Sequence, residues 1–214
     1  GRLVEAPRPP APRVAVRPPA RAAEQALDGD DHLLITGGAG QGKSTLSLRL
    51  AADLAAGWCG EAGGLAVREP VVPLRLTARE LAARLDLPFS QALADSAQAE
   101  YGALLRGPVT ADVLGDRVAG RRWLLLVDAL DEVAVAADRD RLASVLAAWA
   151  SAGPYRIVVT TRPVEGTALA PLHRIGAARY ELLPFDAEAL RSFARHWFAE
   201  EDRPAAYDPV RSAW

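Results

Sequence analysis

Methionine is absent from these 214 residues, and cysteine and lysine occur once each. A lone Cys59 cannot close an internal disulfide or build a Cys-based zinc site, so neither framework organises the chain. In Gly57-Trp58-Cys59-Gly60 the thiol is expected to be partly buried and structural. An excess of one charge is also lacking. With 25 basic and 27 acidic residues the formal charge is −2, which excludes a strongly basic nucleic-acid module and a long acidic tail as the dominant character. No apolar run approaches the ~20 residues needed to span a bilayer, and the first residues carry no apolar signal core. The expected setting is soluble, reducing and cytoplasmic. His32, His173 and His196 stand far apart without ligand spacing and are read as structural or surface groups. With no methionine and Gly1 as its first residue, the chain is expected to be a segment of a longer polypeptide or a processed product.

What is present is an apolar half of the composition, enough for one globular core at this length. Residues 1–21 hold six Pro and five Arg against one Glu. Proline fixes φ and lacks an amide donor, so this stretch reads as a solvated linker or arm, with at most one strand near Arg13–Val16. Its arginines are spread out and no aromatics accompany them, which disfavours a nucleic-acid arm. From Asp31 onward short apolar runs alternate with helical stretches. Strands are expected at His32–Thr36, Val71–Leu76, Trp123–Val127, Arg156–Thr160 and Arg179–Leu183. Helices are expected at Lys43–Ala56 (stopping at Gly57), two or three times within 89–119, at Arg139–Trp149 and at Asp186–Phe198. On the last of these, Trp197 and Phe198 read as packing residues. Thr77 and Glu80 match a capping box, in which each side chain satisfies a free amide at a helix start. This alternation argues for an α/β fold whose mainly parallel, five-stranded sheet is covered on both faces.

Gly37-Gly38-Ala39-Gly40-Gln41-Gly42-Lys43-Ser44 satisfies G-x-x-x-x-G-K-[ST] without a mismatch. Glycines at 38, 40 and 42 remove Cβ clashes and allow the φ values that turn successive amides towards an anion. The helix opening there adds its N-terminal dipole. Lys43 is expected to reach the β- and γ-phosphates of a nucleotide, Ser44 to offer its hydroxyl to Mg²⁺, and Thr45 to meet the α-phosphate. The loop follows an apolar strand and opens a helix, the context in which the pattern carries meaning.

Trp123-Leu124-Leu125-Leu126-Val127-Asp128-Ala129-Leu130-Asp131-Glu132 is the second signal. A buried strand ending in Asp delivers a carboxylate to the edge where the loop lies. Asp128 suits Mg²⁺, which keeps several waters and takes few protein carboxylates. Three acids in five residues repel one another unless a cation sits among them. Asp131 or Glu132 is expected to orient or deprotonate an attacking water. A third strand end, Arg156-Ile157-Val158-Val159-Thr160-Thr161-Arg162-Pro163, places Arg162 where a guanidinium can tell triphosphate from diphosphate.

Together GGAGQGKST, LLLVDALDEV and IVVTTRP resemble the NACHT family of signal-transduction P-loop NTPases, within the wider STAND class. Val72-Pro73-Leu74-Arg75-Leu76 is similar to the family's second strand, and Leu182-Leu183-Pro184-Phe185-Asp186 to its step into a helical subdomain. The likeness covers roughly residues 30–200, and Ala129 followed by Asp131 and Glu132 discriminates best against the NB-ARC group. The resemblance implies a three-layer P-loop NTPase sandwich of ASCE-type order, with the Arg162 strand between the phosphate-loop and Asp128 strands. It implies a nucleotide-binding domain over 22–185 and the start of a truncated helical subdomain over 186–214. It further implies ATP/ADP and Mg²⁺ as cofactors, slow hydrolysis, conformational switching and self-association through the full-length protein. The family's flanking effector and sensor regions, and its further helical and winged-helix subdomains, lie outside this chain. Arginine in place of lysine, with abundant alanine, also resembles the product of a GC-rich bacterial genome.

Other readings remain open at this stage: an ADP-locked assembly scaffold that does not hydrolyse, or the NTPase module of a DNA-binding transcriptional regulator. A small GTPase is excluded in its usual form, because its guanine-reading Asn/Thr-Lys-x-Asp motif needs a second lysine. That exclusion does not prove adenine. Nucleic acid and membrane are not expected partners of this segment.

Overall fold

A computed structural model describes residues 22–60, 64, 65, 67–163, 169–184 and 191. Five strands are formed: β1 Leu33–Thr36, β2 Val71–Thr77, β3 Arg122–Asp128, β4 Tyr155–Thr161 and β5 Ala178–Glu181. Their order is β2-β3-β4-β1-β5 and every pairing is parallel. The strand that leads to Arg162 thus lies between the phosphate-loop strand and the Asp128 strand, as the family resemblance implied.

The continuous apolar runs of β1, β3 and β4 follow from burial on both faces. Alternate side chains enter two separate cores. Leu33, Ile35, Leu124, Leu126 and Val158 pack with Ala26, Leu27, Leu50 and Leu54 of helices α1 (Ala23–Gly29) and α2 (Lys43–Cys59). Leu34, Leu125, Val127, Ile157 and Val159 pack on the other side. There they meet α3 (Ala78–Ala82), α4 (Phe89–Tyr101), α5 (Ala111–Gly115), α6 (Ala136–Ala152) and α7 (Ala170–Arg174). This is a three-layer α/β sandwich.

Several local expectations are corrected. Helix α2 runs through Gly57 to Cys59 and is capped by Gly60, whose φ of 71° lets its amide reach the carbonyls of Ala56 and Gly57. Gly57 serves close approach instead: a Cβ there would stand 2.6 Å from the Leu65 carbonyl oxygen. Cys59 is exposed rather than partly buried. The capping box at α3 is half formed. Thr77 Oγ1 accepts from the Glu80 amide at 3.4 Å, but the Thr77 amide donates to Glu100 Oε1 at 2.6 Å, while the Glu80 carboxylate pairs with Arg84. Helices α1 and α7 were not foreseen, being only 7 and 5 residues long and too short to show a period. The suggested strand at Arg13–Val16 and His196 lie outside the described residues, as does the helix at Asp186–Phe198 apart from residue 191. Among the described residues no helix is long and apolar enough to cross a membrane.

Candidate functional site

The glycine-rich loop leaves β1 pinned on both sides. The Gly37 amide donates to the Thr161 carbonyl of β4 at 3.1 Å, and the Leu182 amide, just past β5, donates to the Thr36 carbonyl at 2.7 Å. Gly40 and Gly42 then take φ values of 69° and 85°. A Cβ at either would meet nothing within 4 Å, so the backbone conformation, not crowding, is what calls for glycine there. Gly42 is the N-cap of α2 and offers no side chain, which leaves the first-turn amides for an anion. Gln41 folds over the loop, its Oε1 accepting from the Gly38 amide. Lys43 is 9% exposed and donates through Nζ to the carbonyl oxygens of Gly37 and Gly38, both at 2.8 Å. Ala39, Ser44 and Thr45 face solvent.

Asp128 ends β3 almost fully buried, at 2% exposure. Its Oδ1 accepts from Thr160 Oγ1 at 2.6 Å and its Oδ2 from Arg75 Nη2 at 2.7 Å. The same Arg75 donates through Nε to Ser47 Oγ at 3.2 Å, and Ser47 Oγ donates to the Ser44 carbonyl at 3.0 Å. An unbroken series of contacts therefore joins the acidic strand end to the first turn of the phosphate-loop helix. Burial opposes the Arg75 charge, yet hydrogen bonds to Tyr101 and Asp128 and the Asp128 charge hold its pKa above the ordinary guanidinium value. Ala129 follows at φ 59°, a left-handed turn that a bulkier residue would resist. Its amide donates to Thr160 Oγ1 at 2.9 Å, which fixes where the chain leaves the strand.

The remaining two acids lie on the 3₁₀ turn Leu130–Glu132, and the structure separates their roles. Asp131 is taken up by Arg162: Oδ1 accepts from the Arg162 amide at 2.9 Å and Oδ2 lies 3.0 Å from its Nε. Glu132 is exposed and, among the described residues, has no side-chain hydrogen bond or ion pair. The repulsion expected within the acidic run is thus relieved by two protein cations, Arg75 and Arg162, where the sequence reading asked for one bound ion. Arg75 was overlooked as a site residue. The available signal was a charge inside the apolar strand Val71–Thr77, since a buried guanidinium needs an anionic partner.

Mg²⁺ fits the donor set. One buried carboxylate and one exposed hydroxyl, held near each other by the Ser44–Ser47–Arg75–Asp128 contacts, are the few hard oxygens this ion takes from protein when phosphates and water complete its shell. No cluster of three or more His, Cys, Asp or Glu suited to a metal occurs among the described residues. A cavity of about 550 Å³ lies elsewhere, between α4 and α5, lined in part by Gln91, Asp95, Gln98 and Val109. Its lining includes no residue of the glycine-rich loop and none of Asp128, Asp131 and Glu132.

A family model described as NACHT domain matches residues 31–201. No curated protein matches the chain. Among solved structures, that of the Aeropyrum pernix ORC1 protein in complex with DNA is similar at 16% identity and a TM-score of 0.46. The likeness covers 86% of this chain and 48% of that one, so the chain spans about half the length of that protein.

Proposed function

The chain belongs to the NACHT domain family and is a P-loop nucleotide-binding module, and from that premise we propose that it is the ATP/ADP–Mg²⁺ switch of a NACHT-type signalling or defence regulator. In this reading residues 22–185 form the nucleotide-binding unit, hydrolysis is slow, and self-association occurs through the full-length protein. The observation that carries the reading is the contact series from Ser44 through Ser47 and Arg75 to Asp128, which joins residues 84 positions apart. A loop of glycines alone would bind an anion. A loop tied to a buried carboxylate suits a phosphate chain with its cation.

The residues divide the work as follows. Loop amides 38–44 and the α2 dipole cradle the phosphates. Lys43 exchanges its two carbonyl partners for β- and γ-phosphate oxygens, and Thr45 adds a hydroxyl. Ser44 and Asp128 would hold Mg²⁺, which when bound neutralises charge building on the phosphates. Glu132, free of protein partners, orients the attacking water and receives its proton. Arg162 contacts the terminal phosphate, and Asp131 holds it there by amide and guanidinium together. Loss of that phosphate then changes the contacts of Arg162 and, through Asp131, of the turn that follows β3.

Calorimetric titration with ATP and a phosphate-release assay test this on three proteins. Lys43→Ala should weaken ATP binding by about a hundredfold or more, the loss of ~3 kcal/mol of charge-assisted contacts. Retained wild-type affinity would overturn the phosphate site. Glu132→Gln should bind ATP normally and release phosphate more slowly. Equal, background-level release from Glu132→Gln and wild type would leave the ADP-locked scaffold as the better account.

A further inference from the structure

Arg75 stands in the middle of the site with two carboxylates to choose from. Its side chain is 17% exposed, and those of Asp128 and Glu100 are 3% and 13% exposed. The guanidinium donates to Asp128 Oδ2 at 2.7 Å, while Glu100 Oε2 lies 3.7 Å from Nη1, close enough to attract and too far to accept a hydrogen bond. Glu100 is held ready by its other oxygen, which accepts from the Thr77 amide at 2.6 Å and from Thr77 Oγ1 at 2.8 Å. The strand position is equally fixed. Tyr101 donates its hydroxyl to the Arg75 carbonyl at 2.9 Å, so the backbone is anchored and only the side chain has somewhere to go.

A carboxylate as buried as Asp128 is strongly unfavourable without a counter-charge. Thr160 serves one of its oxygens and Arg75 the other, so both already carry a protein donor. A dication arriving at Asp128 meets a guanidinium on the same carboxylate. The two cations repel at short range in a poorly solvated place. A guanidinium displaced a short way relieves that repulsion on Glu100, still paired and still buried.

We propose that Arg75 is a tethered counter-cation that occupies Asp128 until Mg²⁺-bound nucleotide arrives and then transfers its charge to Glu100. The residue thereby sets how much Mg²⁺ the site requires. It also reports occupancy to α4 through Glu100 and Thr77. The inference rests on the reading of Asp128 as the magnesium carboxylate, and it makes Arg75 and Glu100 positioning residues rather than catalytic ones.

The test is the Mg²⁺ dependence of ADP binding to the whole chain, measured by calorimetry over a series of free Mg²⁺ concentrations and once in chelator. Arg75→Met keeps much of the volume and removes the competitor. It should lower the half-saturating Mg²⁺ concentration about tenfold, a 1.4 kcal/mol effect. Its thermal midpoint should be depressed in chelator and recover on Mg²⁺ addition by more than that of wild type. Glu100→Gln removes the second resting place and should shift the Mg²⁺ requirement the other way, upward by about threefold. Opposite signs are the signature, because loss of a merely structural contact weakens binding in both variants. If both raise the requirement, or neither moves it, the transfer is overturned. Should Arg75→Met not fold, Arg75→Gln takes its place: a lowered requirement supports the proposal and a raised or unchanged one overturns it. A wild-type chain that binds nucleotide with no Mg²⁺ dependence overturns the reading of Asp128 itself, and the transfer with it.

Discussion

Arg162 and Asp131 illustrate how much a single pair can reassign. Read along the chain, Asp131 and Glu132 are equivalent acids beside a strand end. In the structure Asp131 accepts from the amide of Arg162 and forms an ion pair with its guanidinium at 3.0 Å, and Glu132 has no such claim on it. Arg162→Ala should therefore narrow the affinity gap between ATP and ADP by about tenfold, the value of one charge-assisted contact. Asp131→Asn should narrow it in the same direction by less, since it frees the guanidinium without deleting it. Paired calorimetric titrations with ATP and ADP would show this. An unchanged ratio in Asp131→Asn, together with slower phosphate release, would return Asp131 to the role of water-orienting base. The conformation of the glycine-rich loop was legible because its demands are local: glycine where φ is positive, lysine and serine at the helix start. The division between the two acids was not, because it depends on where β4 ends in space.

At the level of elements the three central strands were readable from their apolar runs, while the short helices packed on them were not. Tyr155 shows why. It opens β4 fully buried, with Phe89 edge-on at 5.4 Å and Trp149 at 6.2 Å between ring centroids. Its hydroxyl donates to the Leu114 carbonyl of α5 at 2.5 Å, and burial pushes its pKa up to about 12. A five-residue helix has no stability of its own, so α5 depends on tertiary anchors: the burial of Leu114, this hydrogen bond, and that from Trp123 Nε1 to the Asp116 carbonyl at its end. Tyr155→Phe leaves a buried carbonyl unpaired and should cost about 1–2 kcal/mol. The expected result is a lower urea midpoint with an unchanged slope, and faster amide exchange confined to residues 111–115. Exchange unchanged there would mean that the other two anchors hold the helix.

Across the whole molecule the two ends of the sheet are used differently. The strand C-terminal ends carry the glycine-rich loop and Asp128, and the N-terminal ends carry an ionic network. Arg156, 3% exposed, donates to the carbonyls of Leu27, Asp30 and Asp31 and so ties α1 to the sheet. Arg122 binds Asp31 and Glu69, and its hydrogen bonds hold both carboxyls below their ordinary pKa values. His32 is buried beside them and accepts from the Ile157 amide through Nδ1 at 3.3 Å. Burial depresses its pKa below 6.5 despite the nearby Asp31. Between 6.5 and that lower value the unfolded chain binds the proton and the folded chain does not, so stability falls as pH falls through this window. The Asp31 and Glu69 contributions are present above the ordinary carboxylate values and are lost at lower pH, as the folded carboxyls protonate. The thermal midpoint should therefore fall in two stages on acidification. His32→Asn should remove the first stage and leave the second. A first stage of equal slope in the variant would assign it to another group.

The order of residues already determined the fold class, the positive-φ glycines of the loop after β1 and the strand that ends in Asp128, because glycine torsions, helix starts and two-sided burial are set within a few neighbouring positions. Packing decided the rest. It brought Arg75 from β2 onto Asp128 and drew Asp131 onto Arg162, across 53 and 31 positions of sequence. A charge buried in an apolar strand needs a partner, but only the arrangement of strands determines which carboxylate comes within reach.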